Sequence, residues 1–249
     1  MGKGLRLRSQ YSDWVRKMVK TPITKFQRLY RHPNLHLIFM LFLILLLSGC
    51  ARTVTSIISY GTQAEVEVTL RGTMEANNAR YFLVVSSSPT YAIPLPYPFN
   101  PNYFEFIEPG MTPQPGSGNI TDYYTNFYSG WAGYVMAGGT EGVILVPGPF
   151  VEGTAATRES IADTAVGGST IKFLFALDRI FGATIPDTIY FDFVSVDWPT
   201  GAAKYSIDHL NSTNAYIPKL SSSKKSVDDE EDPTIDPAMD ILNCTVTIQ

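Results

Sequence analysis

"TIYFDFVSVDW", residues 188–198, is apolar on nearly both faces of an extended chain. Successive side chains of a strand point to opposite sides, so such a segment belongs in the middle of a sheet, away from water on both faces. Half-buried patterns surround it. In "QAEVEVTLR", residues 63–71, Ala64, Val66, Val68 and Leu70 share one face, while Gln63, Glu65, Glu67, Thr69 and Arg71 take the other. "ARYFLVV", residues 79–85, follows a short polar turn around Ala76 to Asn78, which predicts a hairpin of these two strands. "STIKFLFALD", residues 169–178, groups Ile171, Phe173, Phe175 and Leu177. "GVILVPGPFV", residues 142–151, is a strand that its prolines end or push to an edge. In the last segment, "ILNCTVTIQ" (241–249), Leu242, Cys244, Val246 and Ile248 alternate with polar residues, so Cys244 reads as a small buried hydrophobe. At least six strands and one short helical pattern predict a mainly β chain, an antiparallel β-sandwich with loops gathered at its ends.

The helical pattern is "TDYYTNFYSGWAGY", residues 121–134. Tyr123, Tyr124, Phe127, Tyr128 and Trp131 fall at i, i+4 and i+8 spacing, with Thr121 as the expected cap and Gly130 or Gly133 as the end. A loop over 88–118 precedes it, with eight prolines between Pro89 and Pro115 that keep it extended and remove backbone donors. From Tyr81 to Tyr134 the chain holds 14 of the 25 aromatic residues found after position 49. Flat aromatic faces suit ligands with apolar faces and polar edges, sugars above all, so Tyr91, Tyr97, Tyr103, Tyr123, Tyr124, Tyr128 and Trp131 are the candidate ligand-binding residues. The competing reading is structural: the helix plugs the open end of the sandwich and the loop's aromatics pack beneath it.

The N-terminal part has a different physical setting. Residues 1–49 carry nine basic side chains and one acidic, whereas residues 50–249 carry 10 Lys+Arg and 22 Asp+Glu, a formal charge of −12. An acidic body of this kind repels phosphate backbones, so no nucleic-acid partner is expected. The uninterrupted apolar run, Leu37 to Leu47, has eleven positions. As a helix it would rise about 17 Å, short of the ~30 Å hydrocarbon core of a bilayer. A basic leader, a short apolar region and a small-residue site are the parts of a secretory signal. Within "LLLSGCA" (45–51), Leu47, Ser48, Gly49 and Cys50 resemble the bacterial lipobox. That resemblance implies cleavage before Cys50, a lipid on its thiol, and a membrane partner reached through that lipid. Ala51 after the cysteine implies the outer membrane where the cell has one. The leader of 36 residues is long, and a start at Met18 would shorten it; the alternative is an uncleaved signal anchor in the inner membrane. The expected organisation is a signal peptide over 1–49, a lipidated tether over 50–62 and a β-sandwich over 63–249, with a flexible acidic loop over 219–240.

Few catalytic constellations occur. Past the leader, His209 is the one histidine, so zinc sites built on several His or Cys ligands are excluded, and no metal or cofactor is expected. No G-x-S-x-G elbow, phosphate loop or dinucleotide fingerprint is present. "SIDHLNST" (206–213) reads as a turn with Asp208 and His209 as surface polar residues. Asp228, Asp229, Glu230, Glu231, Asp232, Asp236 and Asp240 lack the spacing of a calcium loop and read as a solvated run.

A second resemblance covers residues 168–198, "GSTIKFLFALDRIFGATIPDTIYFDFVSVDW". An amphipathic strand, a short turn and an apolar strand ending in Asp are similar to the late strand pair of family 9 carbohydrate-binding modules and DOMON domains. It carries no functional residue over, and nothing places a methionine opposite His209 for haem. The whole chain also resembles bacterial lipoproteins of no assigned activity. The expectation is a lipid-anchored protein of the cell envelope with a non-catalytic role, binding a glycan or another envelope protein. A purely structural envelope protein, or a glycosidase working through paired carboxylates, are the alternatives.

Overall fold

The computed structural model describes residues 62–95, 104–161, 166–210 and 212–249. The whole expected signal peptide, including the lipobox residues Leu47, Ser48, Gly49 and Cys50, lies outside them, as do Tyr97 and Tyr103. Two antiparallel sheets pack face to face, as the alternating patterns predict. The first has the order β11 (Lys224–Asp228), β12 (Ile241–Ile248), β1 (Gln63–Leu70), β7 (Thr170–Ala176), β6 (Val166–Gly167). The second runs β10 (Tyr216–Pro218), β8 (Thr188–Asp197), β2 (Ala79–Ser86), β3 (Gly133–Ala137), β4 (Val143–Pro147), β5 (Glu159–Ser160), with β9 (Tyr205–His209) also paired to β8.

The strand at 188–198 lies in the middle of the second sheet, flanked by β2 on one side and by β9 and β10 on the other. The expected hairpin does not form. β1 pairs with β12 and β7, while β2 pairs with β3 and β8, so the turn between β1 and β2 crosses from one sheet to the other. Burial supplies the reason: β1 alternates buried and half-buried residues and needs one covered face, whereas β2 is buried on both. For the same reason β7 and β8 occupy opposite sheets, joined through a short helix α2 (Asp178–Phe181), and are not an adjacent pair. In β12, Cys244, Val246 and Ile248 face the core as expected, but Ile241 replaces Leu242 there. A register shift between Thr69 and Leu70 sets Leu70 opposite Ile241 and turns the start of β12 by one residue.

The acidic segment is fastened rather than flexible. β11 lies within the 219–240 stretch, and Arg71 gathers the remainder. Its Nε donates to Asp240 Oδ2, and Nη2 donates to the carbonyls of Asp232, at 3.1 Å, and Ile235. The hydroxyls of Tyr81 and Ser195, both on the second sheet, donate to the carbonyls of Ala238 and Met239 at 2.7 and 2.6 Å. The turn thereby carries Met239 into the core between the sheets.

Asp240 is fully buried and Arg71 is its cation, so removing that cation alone strands a buried charge. Arg71→Met is expected to lower stability by about 3 kcal/mol in urea unfolding, with Arg71→Lys in between. A loss below about 1 kcal/mol, the range of exposed pairs, would show that the turn is held by something else.

Candidate functional site

The outer face of the second sheet is as apolar as its inner face. Phe82 and Val84 of β2, Tyr134 and Met136 of β3, Ile144 and Val146 of β4, and Val194 and Val196 of β8 all point outward and are buried. What covers them is the proline-rich loop together with helix α1 (Ile120–Asn126) and a 3₁₀ turn (Tyr128–Gly130). The cap of α1 is Asn119, whose side chain accepts from the Thr121 amide; the Thr121 hydroxyl turns instead to Glu152 Oε1 at 3.3 Å.

This layer corrects the expectation of an exposed aromatic platform. Tyr123 is 0 % exposed, Tyr128 1 % and Trp131 4 %. Each spends its polar atom on a carbonyl of the loop: Tyr123 Oη on Ser117 at 3.1 Å, Tyr128 Oη on Ile107 at 2.6 Å, Trp131 Nε1 on Ala92 at 2.8 Å. Their rings pack edge to face among themselves and against Phe104 and Phe150. The structural alternative is also altered, because these aromatics cover the outside of a sheet instead of plugging the end of the sandwich.

Two buried carboxylates fix the layer. Glu105 accepts from the Lys204 amide at 3.0 Å and the Gln114 amide at 2.7 Å. Glu108 accepts from Tyr134 Oη at 2.7 Å and Arg158 Nη1 at 2.8 Å.

Two of the predicted residues remain partly accessible, at separate places in the layer. Tyr124 lines a groove of about 430 Å³ between α1, the turn at Gly110 to Thr112 and the loop from Glu152 to Ala155. Its hydroxyl accepts from the Gly110 amide at 3.0 Å and its ring stands edge-on to Tyr128, which fixes the face it offers. Met111, Thr112, Ile120, Thr154 and Glu152 complete a lining that mixes apolar surface with hydroxyls and a carboxylate. Glu152 is the one acid among the lining residues, whereas hydrolysis by paired acids needs two, about 5–10 Å apart.

Tyr91, the other, is half-buried against the aromatic cluster on the outer face. Asp192 and His209, read from the sequence as a strand residue and a surface polar residue, form a pair: His209 Nδ1 lies 3.2 Å from Asp192 Oδ2, with the aspartate side chain 2 % exposed and the histidine 26 %. Sequence reading did not select Asp192, although a lone carboxylate inside "TIYFDFV" is a usable signal, since an ionisable group buried in a strand demands a partner. Burial pushes the Asp192 carboxyl up to about 6 against the opposing pull of His209. For His209 burial acts downward, and the Asp192 carboxylate more than offsets it, holding the imidazole above its ordinary value. Burial also lifts Asp208 to about 6 despite the hydrogen bond it accepts from the Ile241 amide, and raises Asp229. Cys244 is free and buried, and burial raises its thiol far out of the reactive range. Among the described residues no group of three or more His, Cys, Asp or Glu is arranged to hold a metal ion.

Asp192, Asp208, Asp229 and His209 all bind protons more tightly in the folded state than in the unfolded chain, so the stability they contribute is full below their unfolded values and is lost as pH rises through their folded ones. The melting temperature is therefore expected to fall as pH rises from about 4 through about 6, the interval over which Asp192 and Asp208 ionise first in the unfolded and then in the folded chain, and Asp192→Asn to flatten that slope. A melting temperature that climbs across the same interval, or a slope that Asp192→Asn leaves unchanged, contradicts this assignment.

In comparisons with known proteins the chain matches no family model, no curated protein and no solved structure.

Proposed function

We propose that this chain is an exported lipoprotein of the cell envelope that binds a saccharide without transforming it, through the groove at Tyr124. The groove carries the reading. Its volume of about 430 Å³ falls within the ~300–1,000 Å³ of small-ligand sites, and one tyrosine ring is held in place at its wall by a backbone hydrogen bond. Thr112, Thr154 and Glu152 supply hydrogen-bonding groups for hydroxyls around an apolar patch of Met111 and Ile120. That mixture suits a sugar ring, which presents C–H groups on its faces and hydroxyls at its rim. Anchoring rests on the lipobox-like residues Leu47, Ser48, Gly49 and Cys50, behind a basic leader and a short apolar run. The acidic character after position 49 keeps the exported part away from anionic surfaces, leaving attachment to the lipid.

Binding is tested on a panel of neutral oligosaccharides by isothermal titration calorimetry. Tyr124→Ala is expected to weaken the interaction about tenfold, equivalent to ~1.4 kcal/mol, with unchanged folding. Undiminished affinity in that variant would reject the groove. Anchoring is tested by growth on labelled palmitate: the wild-type chain is expected to take up label and Cys50→Ala to take up none. Equal labelling of both, or of neither, refutes the lipoprotein reading.

A further inference from the structure

The turn over residues 219–223 carries the chain from β10 on the second sheet to β11 on the first. At its tip Leu220 is 66 % exposed, the most exposed large apolar side chain of the described residues. One leucine in water is ordinary on a protein surface, but this one has company. Tyr216, at the β10 side of the turn, is 46 % exposed, and Lys225 Nζ stands 5.6 Å from its ring centre. Lys219 and Lys224 flank the tip on either side. The turn is also fastened. The Leu220 amide donates to the Pro218 carbonyl at 2.8 Å and the Ser223 amide to the Leu220 carbonyl at 2.9 Å. Ser222, at a φ of +67°, takes the left-handed conformation that residues other than glycine seldom adopt, and its amide donates to the Ile248 carbonyl at 2.8 Å.

The lysines set this turn apart from the rest of the surface. Arg71, Arg158, Lys172, Arg179 and Lys204 are each paired with a carboxylate. Among the described residues Lys219, Lys224 and Lys225 form no ion pair, and the stretch 216–227 contains no acid. Asp187 adjoins the turn, its carbonyl accepting from the Lys219 amide at 2.8 Å, so three cations stand against one anion. After position 49 the chain carries a formal charge of −12. The repulsion that keeps most of this body off an anionic surface is therefore reversed at one place, which makes it an orienting contact.

Its position in the fold matches that use. The end of β12 lies between the turn and the start of β1: the Ile248 amide donates to the Ser223 carbonyl at 2.9 Å, and the Gln249 amide donates to the Gln63 carbonyl at 2.9 Å. The turn thus shares one end of the sandwich with Gln63, where the chain coming from Cys50 enters the first sheet. Residues 51–62 join the two, and even fully extended they reach only about 45 Å, at roughly 3.5 Å per residue. Attraction between lysines and an anionic surface fades within about 8 Å at physiological salt, so it acts on the end that is held close.

We propose that the turn 219–223 docks on an anionic phospholipid surface, with Leu220 entering the headgroup layer, Lys219, Lys224 and Lys225 meeting the lipid phosphates and Tyr216 lying at the interface. This rests on reading the chain as membrane-anchored and adds the face that it turns to the membrane. For the test, the full-length chain is reconstituted from detergent into vesicles of phosphatidylcholine alone, or of phosphatidylcholine and phosphatidylglycerol in equal parts. A membrane-impermeant reagent then acetylates its amines, and each lysine is followed by peptide mass spectrometry. Lys224 and Lys225 are expected to react about fivefold more slowly in the anionic vesicles, the factor for one lysine at such a surface, with Lys172 on the outer face of the first sheet unchanged. Leu220→Ser, at an exposed position, is expected to remove most of that protection and to leave the melting curve close to wild type. Equal rates in the two kinds of vesicle, the result if the tip instead serves an acidic protein, or a slowing that Lys172 shares, overturn the contact. Protection that survives Leu220→Ser overturns the insertion of the tip. An acyl group and an uncleaved leader both hold the chain on vesicles, so lysine protection and palmitate labelling fail independently. A chain that floats with neither kind of vesicle refutes the membrane reading and this contact together.

Discussion

The central strands of the second sheet are apolar on both faces, and a sheet of that kind has to be covered twice. The first sheet supplies one cover, meeting Tyr81, Leu83, Phe191 and Phe193 across the sandwich. The second cover is, in its described residues, poor in regular structure, and prolines such as Pro94, Pro109, Pro113 and Pro115 cannot donate to a ladder. Carbonyls in such a loop would be left unpaired once buried, at about 1–3 kcal/mol each. The tyrosines and the tryptophan answer that requirement with a donor on a large apolar body. This is why Ser117, Ile107 and Ala92 each receive a side-chain hydrogen bond, and why residues that look suited to stacking a ligand are consumed inside the protein.

Holding an irregular layer on a sheet also needs anchors whose geometry is fixed. Glu105 and Glu108 are buried carboxylates that each take two donors from different parts of the chain, so the loop is tied to the segment before β9 on one side and to β3 and Arg158 on the other. The acidic turn before β12 is treated in the same manner by Arg71. In these three places, one of them in the acidic run that reads as solvated from the sequence, charge is the fastening that irregular backbone needs where sheet hydrogen bonds are missing.

How far the sequence could be read depends on the range of the interaction involved. Alternation is local, and the inward residues of β1 and β7 stand as the period of two places them. Partner choice is not local: nothing in 63–85 reveals that β1 will find β12, or that a bulge at Thr69 will shift Ile241 into the core. The aromatic cluster is legible as a cluster, with burial as one of its two readings, but not the surface it covers, which is made by the outward apolar residues of four strands spread from Phe82 to Val196. Asp192 illustrates the opposite case. One carboxylate inside an apolar strand is visible in the sequence, yet its partner, His209, comes from a different strand.

The buried aromatics still bear on recognition, through placement. α1 and the turn after it support the groove proposed as the binding site: Tyr124 faces the groove while its ring packs on Tyr128, and Gly130 and Trp131 receive the backbone at Tyr91 and Ala92. A loop of about eight residues free in solution would lose roughly 1–2 kcal/mol per residue on ordering around a ligand. The described residues around the groove are held by packing that also covers the sheet. On the proposed reading, affinity from the Tyr124 contact is not drained by loop ordering, and a largely buried aromatic layer serves a binding surface that touches it only at its margin.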